Sequence, residues 1–401
     1  MRVGKRRELD PKGKPQIDAK TVGVGVKADR RPELVELEIK DIAYGGAGVG
    51  KAEGKVHFVP FTVPGERVLA EVYSDRKRFS EGSLVKVLDA SPERIQPKCQ
   101  YFGVCGGCAY QHVPYALQLR WKQAQVRSLF ERIGGIPDAP VQEVVPSPLE
   151  WNYRNRIRLH VSEGRIGFFA KYGRSLVDIH RCEIADDALN LRLAALRRSS
   201  LRDGEVLLDE RMDKRFFEQT NSSAAEQLVA IVSRLLVPGV PVLVDAYCGA
   251  GFFGHRLADR FSKVVGIESN RAAVAEAVRA AGPGERYVCG DVAAELSRVL
   301  DLHQEEGVAL LLDPPAAGLG HGVASLLGHR AVRQIMYVSC DPATQARDVR
   351  ELLAKGYRLE TVVPLDMFPQ TADVEVVASI VPSRSGGAVG GEKFDKHPKK
   401  G

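Results

Sequence analysis

Two residues in the last quarter of the chain have the types needed for covalent catalysis. Cys340 ends the apolar run QIMYVSC and is followed by Asp341, Pro342 and a helical pattern. A thiol near a helix N-terminus is expected to have a lowered pKa, because the helix dipole favours the nucleophilic thiolate. Glu375, in FPQTADVEVVASI, is a candidate proton acceptor. The alternatives are an inert buried thiol and an exposed strand carboxylate.

Four other cysteines have a spacing that suggests a metal centre. Cys99, Cys105 and Cys108 lie in CQYFGVCGGC, and Cys182 stands alone in HRCEIAD. Such a set satisfies tetrahedral zinc or a four-iron, four-sulfur cluster, and three close cysteines with one remote favour the cluster modestly. Alternatively, Cys182 is an unrelated buried thiol. A structural role is expected, in which the centre clips the helical region 118–133 onto the middle of the chain.

A glycine turn with acids on successive strands indicates a nucleoside cofactor. The run VLVDAYCGAGFFG passes from an apolar strand into the turn, and KVVGI ends at Glu268 about twenty residues later. That acid can accept ribose hydroxyls of a dinucleotide or of S-adenosylmethionine. Asp291, in CGD, can reach an adenine amino group, and Asp313 ends a strand in LLLDPPAAG. An acid followed by two prolines favours a methyltransferase over a dehydrogenase.

The elements that position these residues fall into three regions. Alternating apolar runs and glycines over 34–90 predict a small β-barrel, in which Arg76, Lys77 and Arg78 can face a nucleic-acid strand. A helix is predicted from about Pro114 to Ile133, ended by two glycines. From Val242, apolar strands alternate with helices, which is typical of a parallel, doubly wound α/β sheet. The predicted strands are VLVDAY, KVVGIE, RYVCGD, VALLLDPP, QIMYVSC and VEVVASIV.

Charge and composition limit the setting of the protein. Of the net charge of +6, residues 1–31 supply +6 and 382–401 supply +3, so the remainder is slightly acidic. Overall charge therefore does not establish RNA binding. Both ends are predicted to be disordered tails. The chain has no apolar run of membrane length and no secretory signal, and seven cysteines do not suggest disulfides, so we expect a cytoplasmic protein with no membrane partner.

The ordered motifs FFEQTN, DAYCGAG, GIE, LLLDPP, YVSCDPAT and FPQTADVE resemble the RNA uridine-5-methyltransferase family over about residues 34–381. The DIAYGGAGVGK and VPFTVPGERV stretches resemble the OB-like TRAM domain, which binds RNA. The resemblance implies a class I (Rossmann-like) methyltransferase fold with S-adenosylmethionine as cofactor and a four-iron, four-sulfur cluster on the four cysteines. It divides the chain into a tail (1–31), a TRAM domain (32–92), an α+β middle domain with the cluster (93–235), a methyltransferase domain (236–381) and a second tail (382–401).

The resemblance also implies roles for particular residues. Cys340 aligns with the nucleophile that adds to carbon 6 of uracil and so makes carbon 5 able to accept a methyl group. Glu375 aligns with the base that removes the proton from carbon 5. The cofactor site or its border with the target base is implied to contain Gln219, Tyr247, Phe252, Glu268 and Asp313.

Three positions depart from the family pattern and bear on activity. Ala316 stands where the family usually has arginine, Phe252 where it has asparagine, and Asp373 where it has histidine. They motivate one alternative, a non-catalytic RNA-binding or chaperone relative. A cytosine-5 methyltransferase of RNA is a second alternative, but such enzymes typically carry a cysteine after the proline of the motif that is DPPAAG in this chain.

The expected partner is RNA, with ribosomal RNA preferred over transfer RNA because family members with both cluster and barrel often act there. In WNYRNRIRLH, Arg154, Arg156 and Arg158 alternate on one face of a predicted strand with Tyr153 on the other, which suits RNA contacts or a merely solvated charged face. The target base is expected to flip out of its RNA fold. The protein is expected to be a monomer that takes part in ribosomal RNA processing.

Overall fold

The computed structural model describes residues 33–199, 201–210 and 219–383. The predicted tails, 1–31 and 382–401, lie outside these ranges except for Pro382 and Ser383. The FFE of the FFEQTN motif, residues 216–218, also lies outside them. No helix within the described ranges is long and apolar enough to cross a membrane.

Residues 33–89 form a closed five-stranded barrel, which confirms the predicted all-β unit. Its strands are β1 (Glu33–Ile42), β2 (Ala47–Ala52), β3 (Lys55–Pro60), β4 (Arg67–Asp75) and β5 (Phe79–Asp89). They close in the order β1-β2-β3-β5-β4. Because side chains alternate between the faces of a strand, Leu37, Ile39, Val59 and Val68 point inward and are at most 2% exposed.

The middle of the chain contributes an antiparallel sheet and two helices. The helices are α1 (Tyr115–Arg132) and α2 (Asp187–Leu196), and the strands are β6 (Arg156–Ser162), β7 (Arg165–Phe169), β8 (Leu176–Asp178) and β9 (Gly204–Asp209). The strand order is β8-β7-β6-β9. Leu189 and Leu193 of α2 pack on Ile157 and Leu159 of β6, so this sheet has its own apolar core. The bounds of α1 confirm the predicted helix.

The remainder is a seven-stranded sheet with helices on both faces, which confirms the predicted doubly wound α/β fold. Its strands are β10 (Val242–Ala246), β11 (Lys263–Glu268), β12 (Glu285–Cys289), β13 (Val308–Leu312), β14 (Val332–Ser339), β15 (Tyr357–Leu365) and β16 (Glu375–Pro382). Its helices are α3 (Ser222–Leu235), α4 (Phe252–Leu257), α5 (Arg271–Ala280), α6 (Val292–Leu302), α7 (His321–Leu326) and α8 (Pro342–Ala354). The strand order is β12-β11-β10-β13-β14-β16-β15. Two apolar clusters, one on each face, bury every residue of β10 and β13.

The last predicted parallel strand, VEVVASIV, runs in the opposite direction. It forms β16, which is antiparallel to both β14 and β15. Its continuous apolar character arises because it is inserted between two strands and covered on both faces, not because it is parallel. Sequence analysis also missed β15, whose YRLETVVPL mixes charged and apolar residues because it is the edge strand.

Helix α1 packs differently from the clip that the sequence suggested. Val126 and Phe130 of α1 lie in the apolar cluster under the seven-stranded sheet, against Val349 and Leu352 of α8. The reason is that the apolar stripe of α1 finds its complement on that sheet, whereas α2 already covers the four-stranded one. Helix α1 therefore supports the catalytic region directly.

Candidate active site

The carboxyl ends of the central parallel strands gather the predicted site residues at one edge of the sheet. Strand β13 ends at Leu312 and β14 at Ser339, so Asp313 and Cys340 follow these strands directly. The glycine turn follows β10, which pairs with β13 in parallel. Ligands of open α/β sheets bind outside these strand ends. The edge therefore unites the predicted catalytic residues with the predicted cofactor turn.

Cys340 and Glu375 lie opposite each other where β14 meets β16. Ser339 pairs with Val376 in this antiparallel ladder, and Cys340 follows the first while Glu375 precedes the second. Facing positions of neighbouring antiparallel strands hold their Cβ atoms about 4.5–5.5 Å apart. Cys340 as a residue reaches solvent, although its thiol is partly enclosed by the protein, whereas Glu375 is only 3% exposed. The structure thus brings the predicted nucleophile and base together.

Three carboxyl groups at this edge bind protons unusually tightly. Burial, followed by the negative charge of Asp313, raises the pKa of Glu375 well above its ordinary value. Burial raises the pKa of Asp313 to about 7. Burial and then Asp313 raise the pKa of Asp245 to about 8. Since a carboxylate with a raised pKa is a stronger proton acceptor, the electrostatics of the edge suit a base.

Asp245 is a site residue that sequence analysis did not assign. Its side chain is completely buried at the end of β10, and its Oδ2 accepts a hydrogen bond from the Gly254 backbone nitrogen at 3.0 Å. The other oxygen is buried without a partner among the described residues. The carboxyl group thus ties the strand to the helix that follows the glycine turn. An acid that ends an apolar strand just before a glycine turn was the available signal.

The predicted lowering of the Cys340 pKa is wrong. Burial raises the pKa of the thiol to about 11, and the negative charges of Glu375 and Asp313 act in the same direction. The positive end of α8 does not compensate, because Asp341 caps the helix and its Oδ1 accepts a hydrogen bond from the Thr344 nitrogen at 2.9 Å. The Asp341 carboxylate therefore occupies the positive end of α8, which the sequence had been expected to place beside the thiol.

The glycine turn fits a nucleoside cofactor. Glu268 ends β11, and its Oε2 accepts a hydrogen bond from the Gly249 nitrogen at 3.2 Å. Gly251 has a φ of 83°, and a Cβ there would come within 2.5 Å of His255 Nε2. Tyr247 also has a positive φ, 67°, and its nitrogen bonds to the Ile267 carbonyl. The crowded turn requires glycine, which leaves bare backbone beside an acid, as ribose and adenosine recognition need.

The other predicted cofactor residues lie around this turn, and two of them, Phe252 and Asp291, also have structural roles. Phe252 begins α4, and the Arg256 guanidinium lies 4.4 Å from the centre of its ring. Asp291 caps α6 by accepting a hydrogen bond from the Ala294 nitrogen at 2.9 Å. Gln219 is 9% exposed at the border with the middle region. Contacts of these residues with a cofactor stay predictions.

The loop after β13 is held by a cation from a neighbouring helix. This loop contains Ala316, where the family usually has arginine. Arg347 of α8 donates hydrogen bonds to the Ala317 carbonyl at 3.2 Å and to Asp348 at 2.8 Å. Asp348 in turn accepts from the Leu319 nitrogen at 2.9 Å. Sequence analysis missed Arg347 and Asp348, because interior helix positions carried no motif signal.

A buried ion pair fixes the turn 368–373 that precedes Glu375. Lys122 of α1 and Asp366 are both fully buried, with 2.6 Å between the ammonium nitrogen and Oδ1. The ammonium also donates to the Phe368 carbonyl at 3.0 Å, and the Tyr153 hydroxyl donates to the Pro369 carbonyl at 3.0 Å. Helix α1 and the middle region thus position the turn from outside the catalytic sheet.

The four cysteines predicted to bind metal line one cavity of about 220 Å³. Its other walls are mainly apolar, with Arg154, Arg158 and Arg181 among the lining residues. In the part of the chain that the structure describes, no group of three or more cysteine, histidine or acidic residues is arranged to hold a metal ion. The cysteines therefore surround a space instead of converging on one point.

The metal predicted for these four cysteines stays a prediction, and the thiols themselves resist ionisation. Burial and then the charge of Cys182 raise the pKa of Cys105 to about 11, so free thiolates are disfavoured together. A bound cation centre would stabilise them, and Arg154, which lowers the pKa of Cys182, would offset their remaining charge.

The basic residues predicted to bind RNA have different environments. Arg156 pairs with Asp209. Arg158 lies 3.5 Å from Glu205 on the exposed face of β6, and Arg154 turns towards the cysteine cavity. The arginines 154, 156 and 158 therefore do not form one free basic row. The segment 76–78 of the barrel is exposed between β4 and β5, and its contact with RNA stays a prediction.

Comparisons with known proteins agree with this geometry. A sequence model of the family described as tRNA (uracil-5-)-methyltransferase matches residues 294–380. An uncharacterized RNA methyltransferase of Bdellovibrio bacteriovorus is 32% identical over 91% of this chain and 99% of its own length. One from Synechocystis is 30% identical over 85% of this chain and 94% of its own length.

One solved structure resembles most of this chain. It is the tRNA (uracil-54, C5)-methyltransferase of Pyrococcus abyssi in complex with S-adenosyl-L-homocysteine, with a TM-score of 0.64 and 26% identity. The match covers 86% of this chain and 100% of that one. Since 86% of the chain is far more than the seven-stranded sheet and its helices alone, the likeness extends into the other regions.

Proposed function

This chain belongs to the RNA uridine-5-methyltransferase family and is an S-adenosylmethionine-dependent RNA methyltransferase; we propose that it methylates carbon 5 of a uridine in a structured RNA. One observation carries the proposal. Cys340 and Glu375 are facing neighbours at the edge of the sheet that also holds the glycine turn. Cytosine-5 chemistry is disfavoured, because DPPAAG has no second cysteine.

The residues of the glycine turn would hold the cofactor at that edge. Glu268 is positioned to accept the ribose hydroxyls, with Tyr247 and Asp313 towards the target base. When bound, S-adenosylmethionine supplies a methyl group on a positively charged sulfur.

In the proposed reaction the Cys340 thiol loses its proton to solvent and its sulfur bonds to carbon 6 of the uracil. The electrons of the carbon 5–carbon 6 double bond move towards the oxygen on carbon 4. Electrons returning from that oxygen make carbon 5 nucleophilic, so that it would accept the methyl group that bound S-adenosylmethionine supplies. The raised pKa of the thiol means that substrate binding has to stabilise the thiolate.

Glu375 completes the reaction by accepting the proton from carbon 5. The electrons of that carbon–hydrogen bond restore the double bond as the carbon–sulfur bond breaks, which frees Cys340. Its raised pKa makes the carboxylate a stronger base, and its burial keeps water from competing for the proton.

The remaining regions are proposed to serve RNA binding and stability. We assign the barrel as a TRAM-type RNA-binding domain. The cavity of Cys99, Cys105, Cys108 and Cys182 would hold a four-iron, four-sulfur cluster with a structural role, because four protein ligands leave no iron open. We further propose a monomer that acts in the cytoplasm.

Ribosomal RNA remains our proposed substrate, on the resemblance to family members that have both barrel and cluster. Transfer RNA is the second candidate, favoured by the names of the matching family and of the Pyrococcus enzyme. Both RNAs have unpaired uridines in folded regions that could flip towards Cys340.

Covalent trapping tests the proposal directly. Wild type and Cys340→Ala are incubated with 5-fluorouridine-substituted ribosomal and transfer RNA plus S-adenosylmethionine, and attached RNA is sequenced. Fluorine on carbon 5 cannot leave as a proton, so a Cys340-dependent adduct should persist and identify the uridine. RNA binding without cofactor binding or adduct would support the non-catalytic alternative. Nucleoside mass spectrometry of unsubstituted RNA would reveal 5-methylcytidine if the base assignment is wrong.

A further inference from the structure

The turn between β1 and β2 of the barrel lies against the catalytic region. Gly46 has a φ of 88°, and a Cβ there would come within 3.3 Å of the Ala372 side chain. The same atom would lie 3.1 Å from Tyr110 Cε1. The Gln125 side chain of α1 donates a hydrogen bond to the Ala43 carbonyl at 3.2 Å. This barrel turn is thus seated beside the turn 368–373 that leads into Glu375.

Tyr44 lies at the tip of this seated turn. The turn that carries it packs on Ala372, three residues before Glu375, and Glu375 faces Cys340 across the β14–β16 ladder, so Tyr44 lies at the catalytic edge. The charges of Asp341 and Asp373 act on its phenol from the same side. Burial is the larger cause that raises its pKa, so the phenol is neutral in the physiological range. Tyr44, in the N-terminal barrel, thus shares a site with Cys340, which lies almost three hundred positions later in the chain.

The packing of the barrel turn against the catalytic region does not depend on the Tyr44 side chain. Its side chain is still 36% exposed. The seating of the turn uses Ile42, which packs with Ala372, and the backbone of Ala43 and Gly46. The ring is therefore held in place by its neighbours and keeps a free surface at the mouth of the site.

We propose that Tyr44 is a substrate-contacting residue, whose ring packs against the nucleotide that enters the Cys340 site. This inference rests on the proposed function and adds a role for the barrel inside the active site. An unstacked base presents two apolar faces, and aromatic side chains are the usual platforms for such bases. Among acids that repel phosphate, a neutral ring is the group able to hold a base. The barrel would thereby select an extruded nucleotide at the point of chemistry.

Two substitutions separate stacking from hydrogen bonding. Tyr44→Ala removes the ring, whereas Tyr44→Phe keeps the ring and removes the hydroxyl. A matched control is Phe169→Ala, because Phe169 is an exposed aromatic residue (43%) of the four-stranded sheet, outside both the barrel and the catalytic edge. Circular dichroism and S-adenosylmethionine binding by calorimetry check that each variant is folded.

The readouts are the rate of adduct formation on 5-fluorouridine-substituted ribosomal and transfer RNA at saturating RNA, and kcat/KM for methylation. Stacking on one base contributes about 1–3 kcal/mol, so Tyr44→Ala should lower kcat/KM by roughly 5- to 150-fold. Tyr44→Phe should stay within about threefold of wild type, and Phe169→Ala should keep the wild-type adduct rate. A wild-type adduct rate in Tyr44→Ala, or equal losses in Tyr44→Ala and Phe169→Ala, would overturn the proposal.

Photocrosslinking keeps this test distinct from that of the proposed function. The same RNAs are prepared with 5-bromouridine and irradiated with wild type, and the crosslinked peptide is identified by mass spectrometry. A crosslink at Tyr44 supports the contact even if no methyl group is transferred. If adducts form at Cys340 but no crosslink maps to Tyr44 and Tyr44→Ala is fully active, the proposed function stands and this inference fails.

Discussion

The catalytic edge and the cysteine cavity both hold thiols with raised pKa values, but their surroundings differ in charge. At Cys340 the neighbours are carboxyl groups, and the pKa of the thiol is raised to about 11. At Cys105 burial has a similar effect, yet three arginines and one glutamate, Glu183, line the cavity. A single thiol among acids suits transient attack on a substrate, whereas four thiols in a cavity with an excess of cations suit a permanent anionic centre. Neighbouring charge, more than burial, separates the two roles.

The largest expected effect comes from removing the base at the catalytic edge. Glu375→Gln is nearly isosteric and should leave methyl transfer possible but block release, because no group then accepts the carbon 5 proton. Turnover should fall about 10²- to 10⁴-fold, and a covalent RNA complex should accumulate with ordinary uridine, as seen on denaturing gels. Turnover within tenfold of wild type would exclude Glu375 as the base.

A second substitution tests the other side of the comparison. Cys182→Ser should lower iron affinity at least about tenfold, since it removes one of four ligands and a hydroxyl is a poorer one. Iron content and the visible spectrum of anaerobically purified protein measure this. Cys340→Ser is the matched control and should retain iron while losing the RNA adduct. Iron at the wild-type level in Cys182→Ser would show that this cysteine is an unrelated thiol.

The buried carboxyl group of Asp245 should make the free energy of unfolding depend on pH. The pKa of Asp245 is about 8 in the fold against about 3.9 unfolded, so its contribution is fully present below pH 4 and is lost as pH rises to 8. Asp245→Asn keeps the acceptor for the Gly254 nitrogen and should stabilise the protein at pH 9 by at least about 1 kcal/mol. Urea unfolding should give nearly equal stabilities for both proteins at pH 4. An equal difference at both pH values would contradict this account.

The smallest expected effect concerns the charge beside the thiol. Asp341→Asn keeps a good helix cap but removes one negative charge that raises the Cys340 pKa. Alkylation of Cys340 at pH 8 should therefore speed up about threefold, as followed by peptide mass spectrometry. The exposed Cys289 provides an internal control, whose rate should not change. A slower Cys340 would mean that Asp341 helps to form the thiolate.

Much of the fold was readable because local pattern and final environment agree. Continuous apolar runs predicted the central strands, and alternation with glycines predicted the barrel. The direction of β16 was not readable, because burial on both faces produces the same apolar run in either direction. The edge strand β15 was missed since one exposed side gives it a mixed composition.

Sequence order and residue type determined the family, the candidate nucleophile, the base and the four cysteines. Motifs record which chemistry each position can perform. The tertiary structure decided what those groups experience: carboxylates at the strand ends raise the Cys340 pKa that a helix start alone would lower. It also decided that Lys122 and Asp366, 244 positions apart, position the turn 368–373, and that the barrel turn carrying Tyr44 packs beside it. Electrostatic interactions depend on distance in space and not on separation in the sequence. Residues far apart in the chain therefore determine the pKa values and positions of the groups that the motifs identify.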